Sequence, residues 1–251
     1  MANFTAADVK RLREQTAAGF LDCKRASRTA GNGLVTAKLA GTDAGVLVEL
    51  NCETDFVAKT EVFQDVAAQI ANAALEHRAA DRLAVLGLEV RPGVTVQHLI
   101  EEASASLKEK LELGRYTLFE GGYVATYLHK SDPALPPTVG VLVELDKPSA
   151  EAARDVAHQV AAMRPQYLTR DEVPGNVVEH ERGIMEQITR DEGKPEQAVP
   201  KIVEGRLNAF FKEVVLTEQP FVREPKKTIK QLLSEQGVTV RAFARFQVGQ
   251  A

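Results

Sequence analysis

Two apolar periods run along this 251-residue chain, and one apolar run occurs twice. Gly45-Val46-Leu47-Val48-Glu49-Leu50 returns unchanged 95 residues later as Gly140-Val141-Leu142-Val143-Glu144-Leu145. Short Val-rich runs of this kind predict strands. The flanks repeat as well. Gly33-Leu34-Val35 with Leu39 parallels Gly122-Tyr123-Val124 with Leu128 at an offset of 89, and Asp65 to Ile70 parallels Asp155 to Val160 at 90. Thr95 to Ile100 parallels Thr228 to Leu233 at 133, and Tyr116 to Gly121 more weakly parallels Ala244 to Gly249. Each copy reads strand, turn, strand, helix, helix, strand. The pattern predicts an α+β fold whose duplicated core holds two small three-stranded antiparallel sheets with helices. Neither sheet buries much alone, so the copies are expected to pack on each other.

Changes in offset locate the insertions. The second copy gains six residues in its hairpin turn, around Pro133 to Pro137. The first has five extra residues after its hexapeptide, around Asn51 to Lys59. The second gains a further 43 between its paired helices. In that large insertion Val199, Val203, Leu207, Phe210 and Val214 form an a/d stripe, and Val177, Ile184 and Ile188 offer a matching face before the Gly193-Lys194-Pro195 break. Two helices joined there predict an antiparallel coiled-coil hairpin, either a projecting contact arm or a pair lying flat on the body. The expected organisation is a short N-terminal helical module over 1–31, core subdomains over 32–121 and 122–251, and the hairpin inserted at 172–219. In the first module Thr5 and Asp8 approximate a capping box, with Phe4 and Val9 at the staple positions. A helix is expected from about Ala6 to Gln15, and a second opens near Phe20.

Charge changes the picture only locally. The net charge of −4 argues against holding nucleic acid by bulk charge, although residues 1–30 are basic and the remainder acidic. An ordinary solvated helix face would give the same local excess. Two cysteines make neither a disulfide framework nor a four-ligand zinc site. No apolar run is long enough for a membrane span, and the first residues lack a secretory pattern, so a cytoplasmic location is expected. Phosphate-loop, dinucleotide, HExxH and GxSxG signatures are missing, which sets enzyme chemistry aside as the weaker hypothesis. Glu49, Glu53 and Asp55 form an acidic cluster, and such clusters are mostly solvated rather than metal-binding. No cofactor is expected.

Three segments then carry a resemblance that spans nearly the whole chain in order. Thr16-Ala17-Ala18-Gly19-Phe20-Leu21-Asp22-Cys23-Lys24, Asn51-Cys52-Glu53-Thr54-Asp55-Phe56-Val57-Ala58-Lys59, and the landmarks Gly193-Lys194-Pro195, Val203-Glu204-Gly205-Arg206 and Phe221-Val222 resemble the bacterial elongation factor Ts family. The resemblance implies guanine-nucleotide exchange on elongation factor Tu, with no direct nucleotide, DNA or membrane binding. Thr54, Asp55, Phe56, Val57, Ala58 and Lys59 would form the exchange loop. Phe56 would wedge near the partner's Mg²⁺ and phosphate site, assisted by Asp55. By position alone Phe56 reads instead as a core aromatic after a strand. Phe20, Leu21, Asp22 and Lys24 would serve the N-terminal module on the GTPase domain, and the second core subdomain would meet another domain of the partner. The family's third N-terminal helix and basic linker have no room between Arg25 and Gly33. A binding or chaperone module with little exchange activity is therefore the alternative.

Overall fold

A computed structural model describes residues 28–130 and 132–250, together with Arg11. The expected N-terminal helices, with Phe20, Leu21, Asp22 and Lys24, lie outside the described residues. In chain order the first copy contains β1 (Asn32–Ala40), β2 (Ala44–Cys52), α1 (Asp55–Ala58), α2 (Glu61–Glu76), α3 (Arg82–Gly87), β3 (Glu89–Arg91), β4 (Val94–Thr95), α4 (Val96–Leu107) and β5 (Glu112–Glu120). The second contains β6 (Tyr123–His129), β7 (Val139–Leu145), α5 (Ala150–Met163), α6 (Gly175–Asp191), α7 (Val199–Val214), β8 (Pro220–Phe221), β9 (Glu224–Thr228), α8 (Ile229–Gln236) and β10 (Val240–Gln247). Each hexapeptide lies in the central strand of a three-stranded sheet, ordered β1-β2-β5 and β10-β7-β6. The fold is α+β, as the repeat implies. The described residues form two compact units, one that runs up to Leu142 and takes in Ala244 onward, the other of Val143–Phe243.

In the first unit, alternation along β2 divides its side chains between two cores. Val46, Val48 and Leu50 face the α2 side, where Phe63, Val66, Ala67, Ile70, Ala71 and Ala74 supply a helical stripe. Leu47 faces the other way and packs with Val35, Val124, Leu142 and Phe246. The leading glycine of each hexapeptide sits at this second contact. A Cβ on Gly45 would come within 2.5 Å of Leu39 and 3.2 Å of Leu142, and one on Gly140 within 2.4 Å of Val35 and 2.8 Å of Leu47. Each glycine therefore lies against the leucine two positions along in the other copy's hexapeptide. A side chain at either glycine would close this approach. Gly140→Val is expected to cost about 1–3 kcal/mol through overpacking against the stiff Val35 side chain. A urea midpoint unchanged from wild type would contradict this close approach.

Between Val48 and Leu50 the pairing with β5 shifts register, so Gly114 and Arg115 oppose Glu49. That bulge directs Arg115 onto the buried Glu49 carboxylate, Nε to Oε2 2.7 Å. The same guanidinium donates to the Gln247 carbonyl at 2.6 Å and lies over the Phe246 ring. In the second unit the hexapeptide glutamate Glu144 is also buried, with Arg241 3.5 Å away.

The repeat holds in the helices too. Val66, Ala67 and Ile70 on α2 and Val156, Ala157 and Val160 on α5 are all buried. Thr95 and Thr228 both cap the following helix, accepting the N–H three residues on. The five-residue excess of the first copy becomes α1, whereas β7 runs to α5 through Asp146–Ser149 with no intervening helix. Two short ribbons, β3-β4 and β8-β9, precede these capped helices and were not expected from periodicity. Pro92-Gly93, with Gly93 at φ +75°, makes the first turn.

The 43-residue excess folds as α6 packed on α7. Val199, Val203 and Leu207 are buried as expected, with Phe210 half-buried. The partner face on α6 differs from the expected one. Val178 and Met185 pack against that stripe, and Thr189 is fully buried, while Ile184 and Ile188 are exposed. Val177 packs beside Val214 as expected, and beyond it the stripe is displaced by one residue. Thr189 tolerates a place in it because its hydroxyl donates to the Met185 carbonyl at 2.6 Å. Arg206 Nη2 donates to both carboxylate oxygens of Glu192, each at 2.7 Å. Leu207→Ala is expected to destabilise the chain by about 2–5 kcal/mol. Ile184→Ala should stay within about 0.5 kcal/mol. Equal losses in chemical denaturation would restore the Ile184 seam.

Candidate functional site

Site geometry begins where β2 ends. Thr54 is extended and its hydroxyl accepts the Val57 N–H at 3.3 Å, capping the single turn of α1. Lys59 N–H closes the turn on the Asp55 carbonyl. Thr60 then caps α2 by accepting the Phe63 N–H, and its own hydroxyl donates to the Val57 carbonyl at 2.8 Å. The four residues of α1 are thus held at both ends by capping threonines.

Burial within that turn is sharply divided. Val57 and Ala58 belong to the core under β2 and α2, but Phe56 is 76% exposed. Its position after a strand does not make it a core aromatic, because a one-turn helix directs successive side chains roughly 100° apart. Asp55 and Lys59 pair across the same turn at 3.0 Å, and the Lys59 ammonium lies 5.6 Å from the Phe56 ring centroid. Both charged groups are exposed, so the pair contributes at most about 0.5 kcal/mol. The pair thus stands as one neutralised unit, with its ammonium beside the exposed ring.

Behind the turn, Glu109 makes three hydrogen bonds. Its Oε2 accepts the N–H groups of Glu53 and Thr54 at 3.1 and 3.0 Å, and its Oε1 accepts the Thr54 hydroxyl at 2.6 Å. The contact is returned by Glu53, whose Oε1 accepts the Lys110 N–H at 2.7 Å and pairs with Arg28 at 3.2 Å. Asn32 donates to the Glu53 carbonyl at 2.7 Å. The buried Cys52 thiol donates to the Thr54 carbonyl at 3.1 Å. Burial first, and the nearby Glu109 charge second, push that thiol up to about 12, so it stays protonated and able to donate near neutral pH.

The expected acidic cluster does not exist as a cluster. Glu49 is taken by Arg115, Glu53 by Arg28 and the Lys110 N–H, and Asp55 by Lys59. Among the described residues, no group of three or more His, Cys, Asp or Glu side chains could hold a metal. Thr54 to Lys59 come together as one capped turn that buries Val57 and Ala58 and exposes Phe56. Glu109 was missed by the sequence reading. It lies in the charged run Lys108-Glu109-Lys110, which carries no local motif, and it reaches Thr54 across 55 positions. Among the described residues, no helix is long and apolar enough to cross a membrane.

Comparison with known proteins follows the same residues. The family model described as "Elongation factor TS" matches residues 53–250, beginning at the first residue of Glu53-Thr54-Asp55-Phe56-Val57-Ala58-Lys59. The chain belongs to the elongation factor Ts family. Elongation factor Ts of Thermobifida fusca is 53% identical over 278 residues, covering all of both chains. That of Acidothermus cellulolyticus is 52% identical over 279, again covering all of both. That of Streptomyces coelicolor is 48% identical over 277, covering 99% of this chain and 100% of its own. These alignments are longer than 251 residues, so they include positions where the relatives carry residues that this chain lacks. Family membership places the chain among the translation elongation factors of protein biosynthesis.

Proposed function

We propose that the chain is a guanine-nucleotide exchange factor for elongation factor Tu, and that the α1 turn is the part that acts on the nucleotide site. The observation that carries this reading is the exposure of Phe56 on a turn that is anchored by the buried Val57 and Ala58 and whose ends are capped. A large aromatic on a fixed base can enter a partner without first ordering a loop, which lowers the entropic cost of association. Phe56 would enter beside the partner's Mg²⁺ and phosphate site, with Asp55 and Lys59 beside it. Displacing groups that hold the metal and phosphate weakens the grip on GDP.

Such a factor makes and breaks no covalent bond. It acts by preferring the nucleotide-free partner, and the nucleotide then weakens the factor by the same amount. Moving a two-state equilibrium from 1:99 to 99:1 takes about 5.5 kcal/mol. Burying one Phe supplies about 1.5–3 kcal/mol. The remainder would come from a wider surface: the head at 1–31 with Phe20, Leu21, Asp22 and Lys24 on the GTPase domain, and the second copy at 122–251 on another domain. The arm within 172–219 would add contact. The site of action is then the cytoplasm, where elongation proceeds.

The test is stopped-flow release of a fluorescent GDP analogue from elongation factor Tu. The release rate should rise with added chain and approach saturation. Complex formation without faster release would overturn the exchange reading.

A further inference from the structure

We infer that Glu109 is a positioning residue for exchange, acting through Thr54 on the direction in which Phe56 is presented. The inference rests on the exchange reading of the α1 turn. Three donors from the residues that enter the turn converge on this one carboxylate: the Glu53 N–H, the Thr54 N–H and the Thr54 hydroxyl. Both N–H groups belong to residues between the end of β2 and the start of α1, where neither sheet nor helix gives them a partner. Charged acceptors make the stronger hydrogen bonds, and this one lies half-buried, where competition from water is reduced.

The geometry at Thr54 transmits the constraint. Its hydroxyl donates to Glu109 at 2.6 Å and accepts the Val57 N–H at 3.3 Å. Donating its proton to the carboxylate leaves a lone pair free to face the first turn of α1. The capping rotamer of Thr54 is therefore set by Glu109, and Phe56 stands two residues beyond that cap. Glu109 is itself fixed. It follows α4 after Lys108, which turns the chain in the left-handed region at φ 59°, and the Ser104 hydroxyl is hydrogen-bonded to the Glu109 carbonyl. The Lys110 N–H on the Glu53 carboxylate closes the clasp from the other side. The apolar anchors Val57 and Ala58 fix the depth of the turn, while Glu109 fixes its rotation about that anchor.

An exposed ring held by buried neighbours keeps contacting the partner if the turn rotates, but it reaches the wrong atoms. Loss of Glu109 should therefore lower the maximal release rate more than it weakens binding. The test is a double-mutant cycle on GDP release from elongation factor Tu, with Glu109→Ala, Phe56→Ala and the pair, each at saturating chain. Glu109→Ala alone should lower the maximal rate about fivefold or more, with less than a twofold change in the concentration for half-saturation. In the Phe56→Ala background the same substitution should change the rate less than twofold, because the side chain it orients is gone. Glu109→Gln, which keeps an acceptor oxygen in place, should recover part of the loss. If Glu109→Ala lowers the melting temperature markedly, Glu109→Gln and Thr54→Val carry the same cycle.

Equal losses in both backgrounds would mean that Glu109 acts on the fold and not through Phe56, and would overturn the inference. Wild-type release from Glu109→Ala, with Phe56→Ala still slow, would overturn it while leaving the exchange reading intact. Wild-type release from Phe56→Ala would remove the exchange reading itself.

Discussion

Phe56→Ala is expected to slow chain-stimulated GDP release from elongation factor Tu by at least tenfold without altering the stability of the chain. The two halves of this expectation come from the same number. Phe56 is 76% exposed, so the free chain gains little from its ring, and an exposed truncation should stay within about 0.5 kcal/mol. Entering the partner would bury that ring, worth about 1.5–3 kcal/mol. If this energy is realised where nucleotide is lost, each 1.36 kcal/mol is a factor of ten in rate. The expected loss is then roughly tenfold to 150-fold. Phe56→Leu, which keeps apolar bulk but not the flat ring, should fall between. The measurement is the maximal rate at saturating chain alongside a thermal melt. A slow mutant that also melts early would assign Phe56 to the fold, and a fast one would remove the wedge.

Arg115→Ala should be the most damaging of the polar substitutions in the first unit, by about 3 kcal/mol in chemical denaturation. Its expected asymmetry makes it informative. Glu49 is only 4% exposed at its side chain, whereas Arg115 is 31% exposed. Removing the arginine strands a carboxylate on the face that Leu47 uses for packing, together with the Gln247 carbonyl it had satisfied and the Phe246 ring it had covered. Removing the glutamate instead leaves a guanidinium that still reaches solvent and Gln247. Glu49→Ala should therefore cost clearly less than Arg115→Ala. A larger loss from Glu49→Ala would mean that the pair itself, rather than the stranded charge, carries the stability.

Much of the fold was legible because a duplication turns one sequence into two readings of the same structure. The identical hexapeptides gave both central strands, and the change of offset after the first gave the residues that became α1. What the repeat could not give was the reason for its leading glycines. That depended on Gly45 lying against Leu142 and Gly140 against Leu47, a contact across about a hundred positions. In the arm, periodicity fixed the spacing of the α6 stripe but not its phase. Val177 packs near Val214 as expected, but beyond it Ile184 and Ile188 give way to Met185 and Thr189, which have the same spacing. Hydropathy favoured the isoleucines, whereas packing chose the set containing a threonine that could satisfy its own hydroxyl. The ribbons β3-β4 and β8-β9 are too short for any period to register.

At the candidate site the division is similar. Thr54 to Lys59 stood out as a run of residues, and their grouping in one exposed turn follows from capping that is visible locally. The exposure of Phe56 was not legible from its position alone, since a Phe between a strand and a helix is more often buried, and only the family resemblance pointed to it. Nor was Glu109, whose role depends entirely on where α4 ends in space relative to β2.

The central claim is that this turn's contact belongs to the nucleotide-free partner. It is tested most directly by measuring the chain's affinity for elongation factor Tu with no nucleotide and again with GDP bound, for wild type and for Phe56→Ala. The account predicts much tighter binding to the nucleotide-free partner, an equal weakening of GDP by the chain, and a ratio of affinities that shrinks about tenfold or more in Phe56→Ala. Equal affinities for the two forms, or a ratio untouched by Phe56→Ala, would contradict it.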